Sequence, residues 1–569
     1  MKKHIKISYF VLVIFVALNL FLFSTVSPLH NIMNMQYNEW LYYLIGKGMT
    51  KGAIPYVDLV DHKGPYLFYL FAFINLFPYR HIGFFIVATI IYSFIAIATY
   101  NICLIISYDG NILRRENEIE NDEDGKFGLF NVNVICIIVA FIIQMICSSY
   151  YISFGTMSAE IVTLPFILIS YYLFLKYLYS GKMEHSIKYI VIYGINAGIV
   201  FFVKANAVLS FVPIMIYLLC TLIKNKKNKN LFLNFIFGLA AFIIALMPAI
   251  IYSIATHSFY DMIEGAFTIN ILYTGTGMPS SPTAFDSLLK TLVEFKEWTA
   301  ICIMSIFAFY YLIRKSAYAG NDLKRKVIKN LMIFYVLSLV INIYSTYMSM
   351  RPYTNYLANL MFYMVIVILF FVKKLFVLLN DENNMGHISG DKSGIESAPL
   401  RTVMNMLYND LYNIGRKKIK ISFIIAIVVV INILSYSLTY EVSNINGEKQ
   451  GTIAKRVVRI YNSSDKKIKK PKTLVVGYAP YLYEAFDAIP NEKYFATPVV
   501  SRKVYEKPYS ALINRIKKGD EDLILVSFER QMLTDKNFQE EVYDALSYEY
   551  ENIGDANYLG EKVKVYVKK

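Results

Sequence analysis

The chain has 569 residues, 56% of them hydrophobic and only 17% charged, with a mean hydropathy of +0.43. Soluble domains run nearer about a quarter charged, so an ordinary water-soluble fold is excluded. The net charge of +15 invites a nucleic-acid partner, but Lys and Arg gather in short loops between apolar runs, as the positive-inside rule requires, and that partner is set aside.

Apolar runs of roughly 20 residues recur, and each is long enough to cross a hydrocarbon core about 30 Å thick. The first, Ile5 to Val26, begins among Lys2, Lys3 and Lys6. It is long and no small-x-small cleavage site follows, so an uncleaved span with the N-terminus inside is expected. The loop 27–81 then lies outside. Within it, Tyr66 to Phe77 is apolar but too short to cross, and Pro78 ends it; it reads as a juxtamembrane helix. Ile82–Ser107 is a full span. Others are expected at about Val132–Cys147, Ile161–Tyr179, Ile190–Val203, Ala207–Ile223, Leu231–Ile254, Thr299–Ile313, Leu331–Met348, Tyr356–Val372 and Ile421–Leu438. The basic stretches Lys176–Lys188, Lys224–Lys229, Arg314–Lys329 and Lys373–Lys420 then all fall inside, provided Tyr66–Phe77 does not cross. The expected architecture is an α-helical polytopic protein of the cell membrane with about eleven spans over 1–440. It includes a flexible polar linker within 380–420.

From about 441 the composition changes. Thr473–Gly477, Leu523–Ser527 and Val563–Val567 read as strands, and Tyr509–Lys518 and Phe538–Leu546 as helices. A small α/β unit over 441–569, outside the membrane, is expected. Cys103, Cys136, Cys147, Cys220 and Cys302 all lie in or beside apolar runs without metal-ligand spacing, and read as small buried hydrophobes.

This topology places the unusual polar residues on one face. Asn38, Glu39, Asp58, Asp61, His62 and Lys63 fall in the first outer loop. Glu160 starts a span, Lys204 and Asn206 occupy a short outer turn, and Asn270, Tyr273 and Arg351 sit in later outer segments. Each has a bland reading: Glu39 on a wet helix face, Asp58 and Asp61 as turn residues after Pro55, Lys63 and Arg351 as snorkelling cations, Glu160 as a helix-end charge. Lys204 resists one, because it interrupts a continuous apolar stretch. Ionisable groups from five separated segments at one interface mark a composite active site.

The pattern Asn38-Glu39, Gly46-Lys47-Gly48 and Pro55-Tyr56-x-Asp58-x-x-Asp61-His62-Lys63-Gly64-Pro65 resembles the first outer loop of bacterial GT-C glycosyltransferases, relatives of the protein O-mannosyltransferases and the lipid A aminoarabinose transferases. Leu164-Pro165 after Glu160, Phe202-Val-Lys204-Ala-Asn206, Asn270 with Tyr273, and Arg351-Pro-Tyr-Thr-Asn-Tyr356 are similar to later pieces of that pattern. The resemblance implies a GT-C-like fold and an outward-facing enzyme. It would move a sugar from a polyprenyl-phosphate carrier to a glycan, lipid or protein acceptor of the cell envelope. It also implies a carboxylate base and cations that bind the departing phosphate. Where the family usually has Asp this chain has Asn38, and an amide cannot serve as base. Glu39, or else Asp58 or Asp61, is therefore expected in that role, with Glu160 as second carboxylate. Asn38, His62, Lys63, Lys204, Asn206, Asn270, Tyr273 and Arg351 are expected to bind substrate. The carboxylates could hold a divalent cation, but no spacing requires one and no metal is assigned. A lipid-linked glycan transporter and a catalytically degenerate scaffold are the alternative readings; a transporter would want polar groups at mid-membrane depth and inverted repeats, neither of which is visible.

Overall fold

The computed structural model describes residues 2–569 apart from 26, 30–34, 108–122, 150, 154–155, 276–283, 317–321, 381–448, 497, 499 and 529–535. The expected span Ile421–Leu438, linker residues 381–420 and the start of the C-terminal unit lie outside the described residues.

Among the described residues, eight helices are long and apolar enough to cross a membrane. They include α1 (Lys2–Phe23), α4 (Arg80–Ser107), α6 (Ala159–Ser180), α9 (Asn228–Ala255), α11 (Lys296–Ser316) and α12 (Asp322–Tyr347). The other two are composite: a 3-10 helix, Ala205–Phe211, runs into α8 (Val212–Lys224), and a second, Thr354–Leu360, runs into α13 (Met361–Asn380). Two further apolar segments are shorter, Val132–Ser148 within α5 (Glu123–Ser148) and α7 (Ile187–Val203). Helices satisfy their own backbone polar groups, which is what a hydrocarbon surrounding demands. On α9, Phe232, Phe235, Ile244 and Ile251 stand exposed, and only 11% of its most apolar window is buried, so most of this helix offers its side chains to lipid. The protein is a multi-pass membrane protein.

Helix α7 packs on α9 through small residues. A Cβ on Gly194 would lie 2.4 Å from the Gly238 carbonyl, and one on Gly198 would lie 2.7 Å from Ala245 Cβ. Two glycines four apart let the backbones approach closely, and close packing is what drives helix association in lipid. Helix α6 starts at Ser158, whose hydroxyl accepts from the Ile161 N–H, and stops at Gly181 in the left-handed region.

The loop between α1 and α4 folds into α2 (Tyr37–Met49) and α3 (Pro65–Asn75), which pack on each other. Helix α3 has 11 residues, too few to cross at about 1.5 Å per residue. Its placement at Pro65 follows from the sequence, since proline suits the first turn of a helix.

The C-terminal sheet has the order β1 (Thr473–Gly477), β2 (Leu523–Ser527), β4 (Glu561–Lys568), β3 (Tyr550–Tyr558). Strands β1 and β2 are parallel; β4 runs antiparallel to both β2 and β3. β1 and β2 are buried along their whole length, as a two-sided parallel pair must be. Helices α14 (Lys507–Lys517) and α15 (Lys536–Glu549) occur where expected. Strand β3 is one element that sequence reading missed: Tyr550-Glu-Asn-Ile-Gly-Asp-Ala-Asn-Tyr558 is polar and carries a bulge near Gly554, so the alternation of a strand is obscured.

This sheet unit is seated on the loop face of the membrane bundle. Lys47, buried in α2, pairs with Glu484 at 2.8 Å and Asp487 at 3.0 Å, and Arg80 also pairs with Glu484. The Val60 N–H donates to the Lys493 carbonyl at 2.9 Å, and Lys493 pairs with Asp261 at 2.5 Å. Lys507 and Tyr505 both reach Glu264 at 2.9 Å. The C-terminal unit and the segments 37–81 and 257–275 therefore share one side of the bundle.

Candidate active site

The loop after α2 is set by its turn residues. The Asp58 carboxylate accepts from the Ile54 N–H at 2.7 Å and closes a turn after which the chain runs to Gly64. Tyr56 is buried with φ of 69°, a strained setting for a residue with a Cβ, and its hydroxyl donates to the Lys63 carbonyl at 2.6 Å. Gly64 then passes against the end of α7: its N–H donates to the Val203 carbonyl, and a Cβ there would lie 2.1 Å from the Phe202 carbonyl oxygen. Only glycine permits that approach. It sets Lys63 beside the break after α7, where Lys204 adopts an extended conformation before the 3-10 helix.

Six segments supply the cluster that results. Lys204 forms an ion pair with Glu160 and stands 4.0 Å from the centre of the Tyr356 ring; both charged groups are almost wholly buried. The Asn355 side chain also hydrogen bonds to Glu160. Lys63 Nζ lies 2.7 Å from His62 Nε2, and His62 Nδ1 lies 3.2 Å from Asp61 Oδ1. An ammonium can only donate, so Nε2 accepts, Nδ1 carries the proton and donates to Asp61, and His62 is neutral. Burial and the neighbouring Lys63 charge hold His62 below its usual range. Burial lowers Lys63 to about 8. Asp61 is raised by burial, but His62 and Lys63 outweigh that and hold it below the usual carboxylate range. Its second oxygen, Oδ2, is buried with no hydrogen-bond partner among the described residues.

The His62 ring stacks on Tyr273 with centroids 5.1 Å apart, and the Arg351 guanidinium lies 3.7 Å from the Tyr273 ring centre. Tyr273 and Tyr356 bring their hydroxyls to 3.5 Å. Asn270, one turn before Tyr273 in α10 (Ile269–Gly275), donates its amide to the His62 carbonyl and so ties α10 to the first loop.

Glu39 is 1% exposed in the first turn of α2. Its Oε2 accepts from the Gln36 N–H at 3.2 Å, the back half of a capping box. Its other oxygen meets Thr156 Oγ1, which is also bonded to the Ser153 carbonyl. One hydroxyl has one proton, so both contacts are satisfied together when Glu39 carries a proton of its own. Burial, with the Glu160 charge adding to it, raises Glu39 to about 8.

The structure thus brings together Glu39, Asp61, His62, Lys63, Glu160, Lys204, Asn270, Tyr273 and Arg351. It does not bring in every expected residue. Asn38 is exposed on α2, and Asp58 is an exposed turn residue whose carboxylate is occupied by Ile54. Asn206 is half-buried in the 3-10 helix, and its contact is a backbone one, its carbonyl accepting from Ser345 Oγ at 3.1 Å. Thr156 escaped sequence reading, since a threonine in a loop carries no signal of its own. The spacing of Gln36 and Glu39 did hold a readable one, that of a capping box. Among the described residues, no three His, Cys, Asp or Glu side chains are placed to hold a metal. Asp61 and Glu160 each face a cationic or donating neighbour instead.

No family model and no curated protein matches the sequence. Among solved structures the chain is similar to ArnT from Cupriavidus metallidurans bound to undecaprenyl phosphate, with 11% identity and a TM-score of 0.49 over 98% of this chain and 97% of that one. It is also similar to the oligosaccharyltransferase AglB from Archaeoglobus fulgidus in complex with an inhibitory peptide and a dolichol-phosphate. There the identity is 12% and the TM-score 0.46, over 95% of this chain and 72% of that one.

Proposed function

We propose that the protein is a membrane glycosyltransferase that moves a sugar from a polyprenyl-phosphate carrier to an acceptor hydroxyl or amine at the outer face of the membrane. The observation that carries this reading is the convergence of Lys63, Lys204 and Arg351, from three separate segments, on a buried cluster with Asp61 and Glu160, with Glu39 in turn within Coulombic reach of Glu160. Cations held at a membrane surface suit a lipid-borne phosphate. A carboxyl group poised near 8 suits proton removal close to neutral pH.

The roles follow from the residue types. The Glu39 carboxylate takes the acceptor's proton as its oxygen or nitrogen bonds to the anomeric carbon. The bond from that carbon to the phosphate oxygen breaks, and the polyprenyl phosphate leaves with the charge it gains. Lys63, Lys204 and Arg351 stabilise that charge, in surroundings of low dielectric where each contact counts for more than in water. Tyr273 and Tyr356 hold the Arg351 and Lys204 side chains in place. Asp61, through His62, orients Lys63. The distribution of Lys and Arg among the loops supports the outer face as the site's location.

The test is transfer from radiolabelled polyprenyl-phosphate sugars in membranes carrying wild type, Glu39→Gln or Lys63→Met at matched expression. Transfer by wild type, its loss in Glu39→Gln and a raised donor KM or lowered kcat in Lys63→Met are expected. Unchanged transfer in Glu39→Gln would remove that residue from the mechanism. Absence of transfer by wild type across donors, with lipid translocation observed instead, would replace the enzyme by a transporter.

A further inference from the structure

A second feature lies beside α2 at Trp40. A groove of about 990 Å³ separates the first outer loop from the C-terminal unit. Trp40, Tyr79 and Tyr481 supply aromatic walls, and Arg80, Lys455 and Arg459 supply charge. Glu484 is the one acidic residue among the lining, and it is already paired with Lys47 and Arg80. Lys455 and Arg459 project from a helix over 449–462, are exposed, and make no ion pair among the described residues.

The groove opens beside the first turn of a membrane-spanning helix. Arg80 is the first residue of the span α4, and Leu76 and Tyr79 just before it are 68% and 75% exposed. An amphipathic aromatic next to a cation at the head of a span is the arrangement of a membrane–water interface. The volume is at the upper end of small-molecule sites, roughly 300–1,000 Å³, which suits a head group rather than a single ion.

We propose that this groove docks the phosphate-bearing head group of an anionic membrane lipid, held by Lys455 and Arg459 and flanked by Trp40 and Tyr79. Both charge complementarity and depth favour a lipid over a soluble anion, since a cationic cleft away from the bilayer would serve the latter equally well. Trp40 follows Glu39 directly in the chain. Docking in this groove does not depend on the reading given above.

The test is native mass spectrometry of the detergent-purified full chain with dioctanoyl phosphatidylglycerol, dioctanoyl phosphatidylcholine, glycerol 3-phosphate and undecaprenyl phosphate as separate probes. Phosphatidylglycerol is expected to bind at least about tenfold more tightly than the other two small probes, and to lose about tenfold in Lys455→Glu/Arg459→Glu. Lys455→Gln/Arg459→Gln should lose less, and melting curves of both variants should overlay wild type because the positions are exposed. Undecaprenyl phosphate binding should survive the groove variants and fall in Lys63→Met. Equal binding of phosphatidylcholine or of glycerol 3-phosphate, or phosphatidylglycerol binding unchanged by charge reversal, would overturn the lipid groove. Loss of neither lipid in Lys63→Met would overturn the donor site and leave the groove standing.

Discussion

The setting of Glu39 and Lys63 makes a quantitative demand on the pH dependence of transfer. Glu39 is raised from 4.5 to about 8, a shift that disfavours its ionised form by about 5 kcal/mol. At pH 6 only about 1% of it is ionised and at pH 8 about half; with Lys63 half deprotonated by pH 8, kcat/KM should rise roughly 25-fold across that interval. Lys63 is lowered from 10.5 to about 8, so its cation is lost just above the same point and the rate should fall again. The expected profile is a narrow bell centred near pH 8. Initial rates at subsaturating donor in proteoliposomes from pH 5.5 to 9.5 would trace it, because kcat/KM reports the groups of the free enzyme. Lys63→Arg should remove the alkaline limb, since a guanidinium keeps its proton throughout. An acidic limb at about 4.5, or an alkaline limb that persists in Lys63→Arg, would refute the assignment.

Other consequences can be measured without knowing the sugar. Folded Glu39 keeps its proton up to about 8 while the unfolded chain releases it near 4.5, so wild-type stability should decline between those values and level off above 8. Glu39→Gln, which preserves the uncharged shape, should gain on wild type across that window, by up to about 5 kcal/mol, in melts at pH 5 and pH 8.5; equal melting differences at the two pH values would contradict the shift. Lys204→Met strands the buried Glu160 charge and should cost about 3–5 kcal/mol, much of it recovered in Glu160→Gln/Lys204→Met. The corresponding double-mutant cycle would show additive effects if the pair were not coupled. Gly64→Ala forces a Cβ into the Phe202 carbonyl and should displace Lys63, lowering transfer about a hundredfold; wild-type rates would show that the approach is not needed. Lys47→Met should weaken the seat of the C-terminal unit by about 1–2 kcal/mol and speed amide exchange over 482–494, with 536–549 unaffected.

Much of this protein is written locally. Apolar runs long enough to cross a bilayer declare spans regardless of their neighbours, because the solvent is the hydrocarbon itself. The strands at 473–477 and 523–527 and the helices α14 and α15 were likewise legible from short β-branched runs and helical spacing. The distribution of basic loops led to the expectation that Lys63, Lys204, Glu160 and Arg351 gather on one face, and the structure places these side chains together. Tertiary structure alone decided which carboxylates share the site. Asp58 and Asp61 lie three residues apart in one motif, yet one closes a turn in solvent and the other is buried against His62. Glu39 read equally well as a wet helix face, and is enclosed among residues that include Thr156, far along the chain. The docking of the C-terminal unit through Lys47 and Glu484 joins residues more than 430 positions apart. Burial and charge pairing are properties of the surroundings a residue acquires on folding, and those surroundings come from segments that no local pattern connects.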